Sequence, residues 1–489
     1  MRCDSYYGHW HYSFFDISRV SRNGLFVKVS IRISDMIAFV VGVLGVFLFF
    51  TPDPNGIPVG TMQTAGVVVI TIGLLATAAL PEYMTVLIFF FLCSVISIAP
   101  PKVIFSGFLS SAVWLVLGGM ILGVGIESTG LGARLASYIE RAFAKSYFKL
   151  IAGTVLIMCL LAILMPSSVG RVTIMLPIII ALADRLGFGK HSNGRFGLVL
   201  AVGVGALTPS FSILPASVPN VVMAGAAETI YGLNISYTEY FALHFPVIGL
   251  VTMLALPVFI TILFPAKIKK FAAKEETARL KGEEVRLILI LLFALGLWAT
   301  DGVHGISPAW IALGAAIICS FPGIGIMPEK PLLSQINFGP ILVLAGVIGI
   351  GGVVTETGLG SVIGSNLIML MGIRNGTDIG TFASVVALGW SLEFLTTLPG
   401  QPAIMSSFGD TLSKATGWPL NAVLMAQVPA WGMLVFPYQA PPLIATRAIS
   451  GLAIREFIRL LLPMAIFGWL VMVPLQWVWW KFIGYLPNV

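Results

Sequence analysis

Charge is what this 489-residue sequence has least of. Asp, Glu, Lys and Arg make up 10% of it against 57% hydrophobic residues, and the mean hydropathy is +0.97. Soluble domains carry roughly 25% charged residues, so a water-facing globule is excluded. Cysteine is nearly as scarce. Cys3, Cys93, Cys159 and Cys319 stand far apart, three of them in apolar runs, which gives neither a disulfide framework nor a metal-ligand spacing. The five histidines (His9, His11, His191, His244, His304) form no His-x-x-x-His or Glu-linked cluster, so nothing points to a catalytic metal or to an enzyme. There is no Gly-x-x-x-x-Gly-Lys-Ser/Thr loop to bind ATP. The net charge of +7 comes without a basic stripe interleaved with aromatics, which argues against a nucleic-acid partner.

What the sequence has is apolar length. Ile37–Phe50, Val67–Leu80, Val86–Ala99, Phe245–Phe264, Leu287–Ala299 and Leu460–Trp480 approach or reach the roughly 20 residues needed to span a bilayer. Lys and Arg gather between these runs. Placing them inside, as the positive-inside bias requires, leaves Lys102, Arg374, Lys414 and Lys481 as exceptions and gives one threading. Residues 1–34, with Arg19, Arg22, Lys28 and Arg32, read as a cytoplasmic tail without the apolar core of a secretory signal. Residues 35–111 read as N-terminal scaffold spans. A first repeat, 112–264, contains an apolar block at 150–183 and a broken helix at 198–228. The charged segment 265–286 reads as a cytoplasmic linker. A second repeat, 287–485, contains a block at 381–413, a broken helix at 422–450 and a last span at 460–482. The two repeats enter from opposite sides, so the expected architecture is an all-α polytopic membrane protein. It has about 11 transmembrane helices and two re-entrant hairpins in an inverted repeat. Each apolar block returns to its starting side, which either a hairpin or two full spans would do; the matched polar tips favour hairpins.

The repeat is written in residues. Pro166-Ser167-Ser168-Val169-Gly170-Arg171 is followed downstream by Pro215-Ala216-Ser217-Val218-Pro219-Asn220. Leu395-Thr396-Thr397-Leu398-Pro399-Gly400 is followed by Tyr438-Gln439-Ala440-Pro441-Pro442. Thr129-Gly130-Leu131-Gly132 and Thr357-Gly358-Leu359-Gly360 precede the two copies at nearly the same spacing. Each element is a polar, helix-breaking stretch inside an apolar run. Non-helical backbone is tolerated at that depth only where it lines a site, because each unpaired backbone group in hydrocarbon costs several kcal/mol. Broken segments in matching positions of two halves mark a solute site near the midplane.

Hydroxyl pairs at two hairpin tips bring hydroxyls, bare amides and helix N-termini to one point, an arrangement that holds an anion. Proline cannot donate a backbone hydrogen bond and frees the carbonyl four residues earlier. The breaks at Thr208–Asn220 and Pro437–Pro442 therefore expose carbonyls and leave half-helices starting near Val221 and Leu443. Asn220 and Gln439 are the amide side chains of the two breaks. Arg171 and Glu393 are charges inside apolar blocks, each costing about 2.5–3.5 kcal/mol on insertion scales. Three roles are open to Arg171: a bidentate ligand for a carboxylate solute, an ion pair with Glu393 across the hairpins, or snorkelling to the interface.

On these residues the chain resembles the divalent anion:sodium symporter family of dicarboxylate and citrate carriers, within the wider ion transporter superfamily. The resemblance covers nearly everything after the tail. That family has a Ser-Asn-Thr tripeptide at each hairpin tip and a Pro-Pro-Asn-type loop in each broken helix. Here Ser167-Ser168-Val169 and Thr396-Thr397-Leu398 hold the tripeptide positions without the central Asn and final Thr, and Val218-Pro219-Asn220 and Pro441-Pro442-Leu443 hold the loop positions. The resemblance implies a secondary active transporter in the cytoplasmic membrane, a homodimer with scaffold and transport domains that moves by an elevator-type motion. It implies a small anionic substrate, most plausibly a di- or tricarboxylate, at Ser167, Ser168, Arg171, Thr396, Thr397, Pro219, Asn220, Pro441 and Pro442. It also implies coupling by sodium at Ser167, Ser168, Thr208, Ser217, Thr396 and Gln439. The alternatives are an inorganic oxyanion carrier or a sodium/proton carrier of the same superfamily, or an exchanger in which Arg171 replaces a coupling cation.

Overall fold

The computed structural model describes residues 13–20, 26–131, 134, 142–143, 146–165, 167–268, 280–323, 326 and 335–486. Pro166 of the first motif, Gly132 of the Thr-Gly-Leu-Gly echo, and 269–279 of the linker lie outside these residues, as do Cys3, His9, His11 and Arg22. Apolar helices form the body, because a chain so poor in charge can satisfy its backbone in lipid only within helices. Among the described residues six helical stretches are long and apolar enough to cross a bilayer: Ser111–Thr129, Asn193–Ser212, Tyr237–Leu263, Gly339–Glu356, Ile379–Ser407 and Ile454–Phe482. Shorter apolar helices, Thr61–Thr77, Glu82–Ile96 and Pro308–Ser320 among them, complete a multi-pass membrane protein. Two strands precede the first helix, Ser13–Val20 and Phe26–Arg32, paired antiparallel. The tail therefore adds one strand pair to the helical body.

The first apolar block folds as two helices, Tyr147–Leu164 and Ser168–Arg185. Ser146 caps the first by accepting from Lys149 N, and Ser167 caps the second by accepting from Gly170 N at 3.1 Å. The two ends return to one place: the Tyr147 ring lies 5.9 Å from that of Phe188. The second block, Ile379–Ser407, is helical on both sides of Thr397, the one residue inside it with non-helical dihedrals. It too doubles back. A Cβ built on Gly389 would stand 3.0 Å from Gln401 Nε2 and 3.2 Å from Met405 Sδ, although a straight helix would hold Gly389 and Gln401 about 18 Å apart.

Each broken segment departs from expectation at its edges. Asn193–Gly205 ends before two 3₁₀ turns, Pro209–Ser212 and Leu214–Ala216, and helix resumes as Val218–Tyr231. The second resumes as Pro441–Ser450. The restarts come three and two residues earlier than the expected Val221 and Leu443. The prolines sit at the first helical positions, where the missing N–H is one the helix leaves unpaired anyway. Pro219 and Asn220, and likewise Pro441 and Pro442, are thus in first turns of helices rather than in the breaks. The second break also opens sooner than Pro437. Leu420–Met425 and Val428–Trp431 are short helices, and Gly432–Val435 is already non-helical. Both resumed half-helices end on a left-handed glycine, Gly232 (φ 68°) and Gly451 (φ 70°), a conformation glycine adopts without a Cβ penalty.

The span after each break carries a π-turn, Phe245–Gly249 in one half and Gly468–Met472 in the other. Both press on the neighbouring break: a Cβ on Gly249 would fall 2.5 Å from Ser212 Oγ, and one on Gly468 would fall 2.6 Å from Met433 Cγ. The halves also interlock. Ser168–Arg185 packs on Pro441–Ser450, and Val218–Tyr231 packs on Ile379–Ser407. Thr61–Thr77 and Glu82–Ile96 keep a separate small core of Val67, Val86, Phe89 and Cys93 against Ile350 and Val353. A further helix, Leu359–Met371, was not expected. Its Gly, Ser and Asn residues interrupt the apolar run, and only Leu359, Gly360 and Gly364 are buried.

Glu228 fastens Val218–Tyr231 to the start of Ser111–Thr129, its Oε2 accepting from Ser110 Oγ and Ser111 N at 2.8 Å and from Ser111 Oγ at 2.9 Å. Glu228→Ala leaves those donors without an acceptor. The expected result is a loss of about 1–3 kcal/mol, read as a lower unfolding temperature of the purified protein in detergent, with Glu228→Gln falling between. Thr397 has φ 60° and ψ 166°, a region that is essentially glycine-only and costs other residues about 1–3 kcal/mol. In a helix alanine outranks glycine by about 1 kcal/mol. At this position the order reverses: Thr397→Gly is expected to unfold at a higher temperature than Thr397→Ala.

Candidate functional site

The first tip and the first break are joined by one side chain. Arg171 stands one turn into Ser168–Arg185 and has no solvent exposure. Its Nη1 donates to Met165 O at the tip, and its Nη2 donates to Ala206 O at 2.7 Å, Ala216 O at 3.0 Å and Ser168 Oγ at 3.0 Å. Ser168 Oγ in turn donates to Ala216 O at 3.3 Å. The chain has left its helices at all three carbonyls: Met165 is extended, Ala206 follows Gly205, and Ala216 closes the second 3₁₀ turn. Met165 O also accepts from Ser167 N at 2.8 Å. The guanidinium thus sits in a ring of oxygens drawn from two elements.

This geometry decides among the three roles open to Arg171. It does not snorkel, being fully buried. Its fork is occupied by protein oxygens, leaving Nε as the one buried nitrogen without a partner. Nor does it pair with Glu393, whose two carboxylate oxygens are both buried and without a partner. The expected ion pair is not formed because the guanidinium finds its acceptors in backbone carbonyls, which counting charges overlooks.

The other predicted residues of the first half serve the loop. Asn220 Nδ2 donates to Ser210 O at 2.9 Å and Ile213 O at 2.8 Å, tying the resumed helix to the break, while its Oδ1 is buried and unpartnered. Thr208 Oγ1 is turned back onto Val204 O at 3.1 Å. Ser217 is buried at the N-cap of Val218–Tyr231 but makes no capping bond.

The second tip is held differently. Thr396 is buried, and its Oγ1 donates to Leu392 O at 2.9 Å and Thr397 O at 3.2 Å. Gln439 Oε1 accepts from Val435 N at 2.8 Å and Phe436 N at 2.7 Å, closing the second break on itself, and its Nε2 is left buried and unpartnered. The arm entering this tip lies along the break: Trp390 Nε1 donates to Met433 O at 2.8 Å, and the Phe394 ring lies 6.5 Å from that of Phe436. At the loop end of the same arm Asp378 accepts from Thr381 N and Gly380 N. The Thr381 and Gly380 donors hold its carboxyl below the usual range.

Residues that the sequence reading passed over link the two halves. Trp431 Nε1 donates to Gln401 Oε1 at 2.6 Å, on the arm leaving the second tip, and its ring lies 6.1 Å edge-on from Phe211 in the first break. Gln427 Nε2 donates to Ser406 Oγ at 3.3 Å. Four buried polar side chains within one apolar block and its neighbour were the signal that could have found this network. Among the described residues no hydrogen bond runs directly between the Ser167–Ser168 tip and the Thr396–Thr397 tip. Helices Ser168–Arg185, Val218–Tyr231 and Pro441–Ser450 all begin in this region, each bringing partial positive charge at its N-terminus. No group of three or more His, Cys, Asp or Glu side chains comes together among the described residues.

Comparison with known proteins fits this arrangement. A membrane protein of Cupriavidus necator is 21% identical over 471 residues, covering 89% of this chain and 90% of its own. The citrate/succinate antiporter of Escherichia coli is 29% identical over 209 residues, 40% of this chain and 42% of the antiporter, so the chain spans less than half of that relative. The sodium-dependent dicarboxylate transporter SdcS of Staphylococcus saprophyticus is 22% identical over 361 residues, 67% of this chain and 68% of SdcS. A family model for the sodium:sulfate symporter transmembrane region matches residues 32–486. With that match running from the first helix to the last, the chain belongs to the sodium:sulfate symporter family, among the divalent anion:sodium symporters.

Proposed function

We propose that this protein is a secondary transporter for a small di- or tricarboxylate, in which Arg171 takes the place of a coupling cation. The observation that carries the second half of this reading is the oxygen ring around the guanidinium: Met165 O, Ala206 O, Ala216 O and Ser168 Oγ. Hard cations are bound by such sets of carbonyl and hydroxyl oxygens. A fixed guanidinium satisfies the same oxygens with one positive charge and leaves a sodium ion no free ligand there.

The carboxylate substrate is supported by the named activities of relatives, citrate/succinate exchange in one and sodium-dependent dicarboxylate transport in another. Helix N-termini gathered at the tips and breaks suit an anion without committing a further lysine or arginine. The packing of each hairpin on the other half's resumed half-helix supports a single moving body, and the small core of Thr61–Thr77 and Glu82–Ile96 supports a second one. We read the cycle as elevator-type, in a homodimer. The re-entrant reading of the hairpins is supported by the first tip bonding to the middle of a broken crossing, with a half-helix on either side.

Uptake of radiolabelled succinate, malate and citrate into proteoliposomes tests both halves. The wild type is expected to take up or exchange at least one of them without a sodium gradient. Arg171→Ala is expected to lose about tenfold or more of that rate, since hydrogen bonds to charged groups contribute about 1.5–3 kcal/mol each. Added sodium is expected to recover part of the loss. Arg171→Lys is expected to recover little, because a point charge cannot fork across two elements. Strict dependence on several sodium ions, unchanged in Arg171→Ala, would overturn the assignment of Arg171.

A further inference from the structure

We infer that Glu393 is a proton-binding site, and that its protonation is coupled to anion binding and movement. The inference rests on the carboxylate-carrier reading above. Glu393 lies one turn before Thr397 on the arm entering the second tip, with no solvent exposure and with both carboxylate oxygens buried and unpartnered. A carboxylate so placed has no protein hydrogen-bond donor, and an unpaired buried charge is costly enough that such a group neutralises instead. The cation that opposes it in sequence, Arg171, is committed to carbonyls on the other side of the site.

The groups facing Glu393 leave it alone in this role. Tyr438, on the second break, is the titratable group within electrostatic reach of it. That phenol is 37% exposed. Gln439 on the same break offers an unpartnered buried amide nitrogen. The charged groups on other elements packed against this block are engaged or solvated elsewhere. Glu228 accepts from Ser110 and Ser111, Lys481 Nζ donates to Thr377 Oγ1, and Glu356, Asp410 and Lys414 are exposed. Helices Thr61–Thr77 and Leu359–Met371 and the turn Val428–Trp431 carry no charge.

The coupling follows from like charges. An ionised Glu393 repels an incoming dianion across a low-dielectric site, and a proton on the carboxyl removes that repulsion. Substrate therefore enters with a proton on Glu393, and the proton leaves from the same oxygen when the site opens to the other side and the anion departs. No other bond is made or broken.

The test uses the full-length protein with succinate, malate and citrate as probes. In proteoliposomes without a sodium gradient, an acid-outside pH gradient is expected to raise wild-type uptake about threefold or more over uptake at equal pH, with trapped pyranine reporting acidification as the anion enters. In Glu393→Gln that ratio is expected to fall to about one, whatever the absolute rate. As a readout independent of turnover, thermal stabilisation by the same probe in detergent is expected to be larger at pH 6 than at pH 8 in the wild type. It is expected to be equal at the two values in Glu393→Gln, whereas Glu393→Asp, which keeps a carboxyl, retains a difference. A pH response preserved in Glu393→Gln, or absent from a wild type that moves the anion, would overturn the inference. A wild type that neither binds nor moves any of the three acids would overturn the carboxylate reading beneath it.

Discussion

A buried guanidinium and a set of backbone carbonyls outside regular helix satisfy one another across the first tip and the first break. In hydrocarbon a helix consumes its own carbonyls, so an arginine there normally finds no acceptor except an ion partner. The ends of two helices, at Met165 and after Gly205, and the 3₁₀ turn closing at Ala216 present three carbonyls at one place, and Arg171 donates to all three. Remove the break and a full charge is stranded in a dry interior; remove the arginine and the Ser168 hydroxyl is left as the side-chain donor between the tip and Ala216 O. The contact also spans two elements, so the first hairpin cannot slide along its broken helix without losing the bonds.

The second half solves the same backbone problem without a charge. Gln439 turns its own oxygen back onto Val435 and Phe436, and the reversal is made by forcing Thr397 into a region ordinarily left to glycine. The two halves share layout but not electrostatics: one has a fixed cation committed to the backbone, the other a carboxyl committed to nothing. The difference falls at the positions where charge is held. The π-turns beside both breaks, each accommodated by a glycine in close approach, are a feature that the two halves share.

Much of this was legible in the sequence, for identifiable reasons. The spans follow from apolar length, and the tips and breaks follow from hydroxyls and prolines placed where lipid should exclude them. Other features were hidden because they depend on acceptors that carry no letter. Arg171 and Glu393 look like partners when only side chains are counted, and the carbonyls of Met165, Ala206 and Ala216 are invisible until the chain is folded. The helix restarts at Val218 and Pro441 are readable in the sequence, since proline favours a first helical turn. Leu359–Met371 escaped because its short apolar stripe is interrupted by small polar residues. The strand pair in the tail carries a high share of β-branched and aromatic residues, the types enriched in strands.

If the solute is a dianion, as proposed, the charge balance of the site accounts for an arginine whose fork is turned onto the backbone. A dianion needs roughly two units of compensating positive charge. Helix N-termini supply about half a unit each, and Ser168–Arg185, Val218–Tyr231, Pro441–Ser450 and the arm leaving Thr397 provide four. These dipoles can neutralise the solute while remaining reversible, because no single strong ion pair has to be broken at release. An arginine aimed into the same space would hold a carboxylate by a bidentate bond and slow its departure. With its fork turned onto the backbone, Arg171 keeps the tip and break together and lends the site a background positive potential. The adjustable part of the balance then falls to the opposite hairpin, where an uncommitted carboxyl can change charge without disturbing a single hydrogen bond of the frame.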